Sequence, residues 1–119
     1  MRLGRITLYV RDVETSAEFY QRHFGFSVLR LEGDRIVELV STDGGANLLL
    51  HKAGKAQKMG QVLVKLIFDV EDVEKASAEC AANGLIFGPR HPADGYVFAN
   101  AKDPDGNPIA LSSRAFVRR

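Results

Sequence analysis

Few residues in this sequence carry the chemistry of catalysis or metal binding, and where they stand narrows what that chemistry would be. There are three histidines and one cysteine in 119 residues. His51 follows the apolar run Asn47-Leu-Leu-Leu50. As a general base it would need a neighbour that sets its pKa and a substrate proton within reach. Glu38, on the preceding strand-like segment, is the candidate neighbour, and Tyr9 is a second candidate acid/base. The plainer reading leaves His51 solvated at a strand end. His51 and Glu38 together would offer a stray zinc ion two donors, too few for a dedicated site.

The other candidates are weaker. His23 closes a helix-like segment, where an imidazolium interacts well with the helix dipole, and it reads as structural or solvated. Arg90 and His91 lie in Gly88-Pro-Arg-His-Pro-Ala-Asp-Gly95, a loop able to close on an anionic ligand, although a surface loop is the simpler reading. Cys80 is alone, so neither an internal disulfide nor a thiolate cluster can form. It reads as a buried helix residue. The sequence contains no phosphate-binding glycine loop, paired-cysteine zinc pattern or nucleophile elbow.

Composition bounds the class. Hydrophobic residues make up 45% and charged residues 26%, the balance of a globular chain, and the formal net charge is +1. Neither nucleic acid nor a membrane surface is an expected partner. The basic end Arg114–Arg119 reads as a solvated terminus. No apolar run approaches the roughly 20 residues of a membrane span. Met1-Arg-Leu-Gly4 leads directly into a strand-like segment without a signal-peptide pattern, and the expectation is a cytoplasmic protein.

The elements that would position these residues come from a repeat. Ile6-Thr-Leu-Tyr-Val-Arg-Asp-Val-Glu14 matches Leu66-Ile-Phe-Asp-Val-Glu-Asp-Val-Glu74 at an offset of 60. Apolar residues alternate in register, Ile6, Leu8 and Val10 against Leu66, Phe68 and Val70, which predicts two half-buried strands. Asp12 and Asp72 stand at N-cap positions, and helical spacing follows: Val13, Ala17, Tyr20 and Phe24, then Val73, Ala76 and Cys80. Gly25 and Gly84 suit left-handed C-caps. Further strands are predicted at Phe26–Leu31, Arg35–Ser41 and Asn47–His51, then at Leu85–Gly88, Tyr96–Lys102 and Pro108–Ser113. Asp103-Pro-Asp-Gly-Asn107 is a turn between the last two.

Each half therefore reads β-α-β-β-β, giving an α+β domain of two such modules, about 2–51 and 61–114, joined by a linker at about 52–60. Helices covering one sheet face leave the other face to line a concave cup.

Two stretches resemble a known family. Ile6-Thr-Leu-Tyr-Val-Arg-Asp-Val-Glu-Thr-Ser-Ala-Glu-Phe-Tyr-Gln-Arg-His-Phe-Gly-Phe26 is similar to the opening of vicinal-oxygen-chelate proteins, the glyoxalase/bleomycin-resistance/dioxygenase superfamily. Asp103-Pro-Asp-Gly-Asn-Pro-Ile-Ala-Leu111 looks like their closing turn and last strand. The resemblance implies a single domain with the glyoxalase/bleomycin-resistance fold and a homodimer. It also implies metal ligands at four cup-facing positions, which fall on Arg5, Leu49, Lys65 and Ala110. None of these is a His, Glu, Gln or Asp, and two cations would repel a divalent ion. No metal and no other cofactor is expected.

Strand alternation then assigns the cup. Arg5, Thr7 and Tyr9 face it from the first strand, Asn47, Leu49 and His51 from the fourth. Lys65, Ile67 and Asp69 face it from the second module, with Ala110 and Ser112. Tyr96, Phe98 and Asn100 share one face of their strand, and alternation leaves open which face that is. If it faces the cup, the two rings form a stacking wall and Asn100 orients a ligand.

These expectations define a protein that sequesters or senses a small anionic or neutral metabolite, with no metal. The alternative is a lyase- or isomerase-type or dioxygenase-like enzyme of this family, using His51 or Tyr9, with or without a divalent metal. A third possibility is a module whose cup is filled by its own side chains. A bleomycin ligand is disfavoured, because that drug is basic and this cup presents Arg5 and Lys65.

Overall fold

The alternation of apolar residues at the start of each repeat becomes a strand, and the aspartate after it starts a helix. The computed structural model describes residues 1–117, so Arg118 and Arg119 of the basic end lie outside the described residues. The chain divides into two units, one ending at Met59 and the other beginning at Gly60.

In the first unit, β1 (Arg5–Val10) leads into α1 (Val13–Phe24), followed by β2 (Ser27–Arg30), β3 (Val37–Val40) and β4 (Asn47–Lys52). The sheet order is β1-β4-β3-β2. Strands β1 and β4 run parallel, and the other pairs are antiparallel. Asp12 caps α1 by accepting the Thr15 backbone N–H, and Gly25, at φ 73°, closes it with a bond to the Gln21 carbonyl. Helix α1 packs on β3 and β4. Tyr20, Ala17 and Ser16 are buried there, with Val10, Val37, Leu39, Leu48 and Leu50. The expected linker at 52–60 begins inside β4. It is tied to the rest of the unit by a bond from the Ala53 N–H to the Val10 carbonyl and one from the Arg11 guanidinium to the Gln57 carbonyl.

The second unit repeats the plan. Strand β5 (Leu66–Asp69) precedes α2 (Val73–Ala82), and β6 (His91–Pro92), β7 (Val97–Lys102) and β8 (Pro108–Ser112) follow in the order β5-β8-β7-β6. Strands β5 and β8 are parallel, and α2 packs on β7 and β8. A single 3-10 turn, Arg114–Phe116, ends the described chain. Among the described residues no helix is long and apolar enough to cross a membrane.

One expected strand does not form. Leu85–Gly88 is irregular, and the strand in that place is the two-residue β6 further along. The reason lies in the end of α2. Gly84 (φ 96°) bonds to the Ala81 carbonyl and Leu85 to the Cys80 carbonyl, the paired bonds of a Schellman motif. The Leu85 amide is thus consumed by the helix end. Leu85 and Phe87 are buried all the same, so their alternation reports burial without a ladder.

The turn between β7 and β8 is built on a buried carboxylate. Asp103 accepts the backbone N–H groups of Asp105 (2.9 Å) and Asn107 (2.8 Å) and the Asn107 side-chain amide (3.0 Å). Bonds to a charged acceptor contribute more than neutral ones, and losing this acceptor leaves buried donors unmet. Asp103→Ala should therefore lower unfolding free energy by about 2–4 kcal/mol in urea denaturation. A loss below roughly 0.5 kcal/mol would show that the turn does not depend on these bonds.

Candidate functional site

In both units the helix covers one sheet face, and most residues on the other face are exposed or half-buried. The strand register shows which residues share it, because cross-strand partners project to the same side. In the first unit Arg5 stands opposite Asn47, Thr7 opposite Leu49 and Tyr9 opposite His51, while Glu38 stands opposite Leu49 on the far side of β4. Arg5, Thr7, Tyr9, Asn47, Leu49, His51 and Glu38 therefore form one surface. Arg5, Thr7, Tyr9 and His51 are exposed, and Asn47, Leu49 and Glu38 are half-buried.

Within that surface the polar groups pair differently from the sequence expectation. Glu38 Oε2 accepts from Arg5 Nε at 3.1 Å and from Asn47 Nδ2 at 2.8 Å. Asn47 is held in turn by the Ser41 backbone N–H on its Oδ1 (2.8 Å). His51 Nδ1 lies 2.8 Å from the Lys52 carbonyl, and its ring centroid is 5.3 Å from that of Tyr9. The expected partnership of His51 with Glu38 is thus replaced by two separate groups. The arginine reaches across the strand to the carboxylate, and the imidazole turns toward its own backbone.

In the second unit the register settles the face that alternation leaves open. Ile67 stands opposite Ala110, and Ala110 opposite Asn100; Asp69 stands opposite Ser112, and Ser112 opposite Phe98. Phe98 and Asn100 therefore share the surface of Ile67 and Asp69. Lys65, just before β5, donates from Nζ to Asn100 Oδ1 at 2.9 Å and lies 5.7 Å above the Phe98 ring. Ala110 is only 2% exposed and Ile67 57%. The short alanine lies low between its two longer cross-strand partners instead of standing open.

The row of rings on this face is longer than the sequence suggests. His91 packs against Phe98 with centroids 5.2 Å apart, and Tyr96 and Phe98 are 6.5 Å apart. The Arg114 guanidinium lies 5.2 Å over the Tyr96 ring and donates to its hydroxyl at 3.3 Å. The spacing of 96, 98 and 100 signals part of this row. The place of His91 follows only from the short strand β6, which pairs it with Phe98.

Arg90 does not join its neighbour there. It pairs with Glu74 at 3.1 Å beside an open groove of about 680 Å³, lined by residues 71–76, Glu79, Arg90 and Val97. Val97 points to the opposite side of β7 from Phe98, so this groove is on the helix side. Its lining is largely charged, with Glu71, Asp72, Glu74 and Glu79 against Lys75 and Arg90.

Arg5, Leu49, Lys65 and Ala110 supply no carboxylate or imidazole, so these positions do not fit a divalent ion. Among the described residues no group of three or more His, Cys, Asp or Glu side chains could hold a metal. Burial raises the Cys80 thiol above its ordinary pKa, with the nearby Glu79 charge acting in the same direction, which keeps it protonated and poorly nucleophilic.

His23 departs from the expected favourable contact with the helix end. Burial, and then the adjacent Arg22 charge, push its pKa below the ordinary 6.5. Its Nδ1 is buried without a hydrogen-bond partner, and its ring packs on Phe19 at 4.9 Å. The fold favours neutral imidazole, so this contribution is complete above pH 6.5 and is lost as pH falls through the lower folded-state value. Urea midpoints measured from pH 7.5 down to pH 5 should fall less steeply in His23→Phe than in the unaltered chain. Parallel pH profiles would contradict the assignment.

With this geometry in place, comparison with known proteins is direct. The family model for the Glyoxalase/Bleomycin resistance protein/Dioxygenase superfamily matches residues 2–111. No curated protein sequence matches significantly. Among solved structures, TnmS3, an antibiotic binding protein from Streptomyces sp. CB03234, superposes with a TM-score of 0.78 at 22% identity, covering 93% of each chain. A glyoxalase/bleomycin resistance protein from the same Streptomyces has a TM-score of 0.72 at 22% identity, covering 92% of this chain and 98% of its own. Lactoylglutathione lyase from Agrobacterium tumefaciens has a TM-score of 0.73 at 18% identity, covering 97% and 95%. These likenesses show the fold. Taken with the family model, which spans both repeats, they show that this chain belongs to the glyoxalase/bleomycin resistance protein/dioxygenase superfamily.

Proposed function

We propose that this protein binds a small anionic or neutral metabolite on the open sheet faces of its modules, sequestering or sensing it without a metal ion. The observation that carries this reading is the character of those faces. Apolar and aromatic side chains (Leu49, Tyr9, Ile67 and Phe98) are interleaved with a few fixed polar groups, as small-molecule sites generally are. The cations Arg5 and Lys65 suit an anionic or hydrogen-bond-accepting ligand better than a basic one. A solved structure of similar fold is described as antibiotic binding, which supports a binding role. The reading includes a homodimer in the cytoplasm and excludes nucleic-acid and membrane partners.

A second reading rests on the contact between the Tyr9 and His51 rings, 5.3 Å apart at directly opposed positions. A phenol beside an imidazole can move a proton. This reading makes the protein a lyase- or isomerase-type enzyme, as one structural relative is named a lyase.

Thermal unfolding of the purified chain against panels of metabolites and divalent metals separates the two, since a ligand that binds the native state raises its stability by mass action. The binding reading predicts a higher Tm with at least one organic ligand and none with a metal. A rise with zinc or nickel that His51→Ala abolishes would contradict it.

A further inference from the structure

The two modules place the same pair of side chains in the same place but give the second pair a different charge. In the first, Arg5 stands two residues before Thr7, which is opposite Leu49, which is opposite Glu38. In the second, Lys65 stands two residues before Ile67, which is opposite Ala110, which is opposite Asn100. Glu38 and Asn100 thus occupy equivalent positions, and each bonds the cation of its own module, at 3.1 Å and 2.9 Å. A carboxylate neutralises Arg5. A neutral amide orients Lys65 without neutralising it.

Lys65 joins none of the ion pairs found among the described residues. The acid on its own face, Asp69, lies four residues along the chain, roughly 13 Å away in an extended strand. One of the three ammonium hydrogens is engaged by Asn100, leaving two to donate. The lysine ammonium lies 5.7 Å over Phe98, the middle ring of a row of His91, Phe98 and Tyr96 whose neighbouring planes are tilted by 36° and 39°. Ala110 and Ser112, 2% and 3% exposed, are buried between these residues and Ile67 and Asp69 across the strands.

We infer that the open face of the second module is an anion site for a planar aromatic ligand. Its ring packs against the ring row at His91 and Phe98, and its carboxylate or phenolate meets Lys65 and Asn100. This inference rests on the small-molecule reading above and specifies its ligand class. The first module lacks the combination, because its cation is neutralised and Leu49 and Glu38 occupy the places of Ala110 and Asn100.

The test is titration calorimetry of the full chain with 2-naphthoate, the neutral 2-naphthamide and the non-aromatic cyclohexanecarboxylate. Lys65 is exposed, so K65M leaves the core untouched, with its fold checked by far-UV circular dichroism, and K75M on α2 serves as the charge-loss control. Binding of 2-naphthoate should weaken at least tenfold in K65M and be unchanged in K75M. The amide and the non-aromatic acid should each bind at least tenfold more weakly than 2-naphthoate. The assignment is overturned if 2-naphthoate does not bind, if K65M leaves its affinity intact, or if cyclohexanecarboxylate binds equally well. In any of these cases a metabolite that raises Tm would still sustain the general binding reading.

Discussion

Parallel pairing of the first and last strands of each module constrains everything else in this protein. Strands β1 and β4 run side by side in the same direction, as do β5 and β8. Parallel neighbours cannot be joined by a tight hairpin, so the chain must leave the sheet and return over one face. In each module a helix of 12 or 10 residues carries the chain from the first strand to the far edge of the sheet, burying the apolar side beneath it, and antiparallel strands then lead back to the parallel neighbour. The opposite side is left to the alternate residues. The candidate site is a consequence of this connectivity.

The open faces have diverged although the backbone plan repeats. On the first, Glu38 is the hub that fixes Arg5 and Asn47, and the Ser41 amide fixes Asn47 in turn. That network has matched charges, and at an arginine 60% exposed it adds little to stability. On the second, one amide takes the place of the hub, and aromatic rings take the place of further polar groups. Rings and an oriented lysine recognise shape and charge together, whereas a closed ion pair mainly satisfies itself.

Much of this was legible in the sequence because alternation and capping are local signals. The repeat at offset 60 identifies β1 and β5, Asp12 and Asp72 mark both helix starts, and the exposed sides of Thr7 and Ile67 follow from period two. What escaped depends on contacts between distant segments. The face of Phe98 and Asn100 is fixed only by their register with Ser112 and Ala110. Glu38 sits on the expected surface, yet its partner is decided by the reach of Arg5 from two strands away. Leu85–Gly88 carries the pattern of a buried strand, but the Schellman bonds claim the Leu85 amide first. His91 lies in a loop by composition and against Phe98 in the fold.

The central claim is that ligands meet this protein on the open sheet faces and not in the charged groove beside α2. Amide chemical-shift mapping with any metabolite that stabilises the chain tests it directly. The account predicts that the shifted signals fall on alternate residues of the strands, among 5–9, 47–51, 65–69, 98–100 and 110–112. Shifts confined to Glu71–Glu79 and Arg90 would place the ligand in the helix-side groove and contradict it.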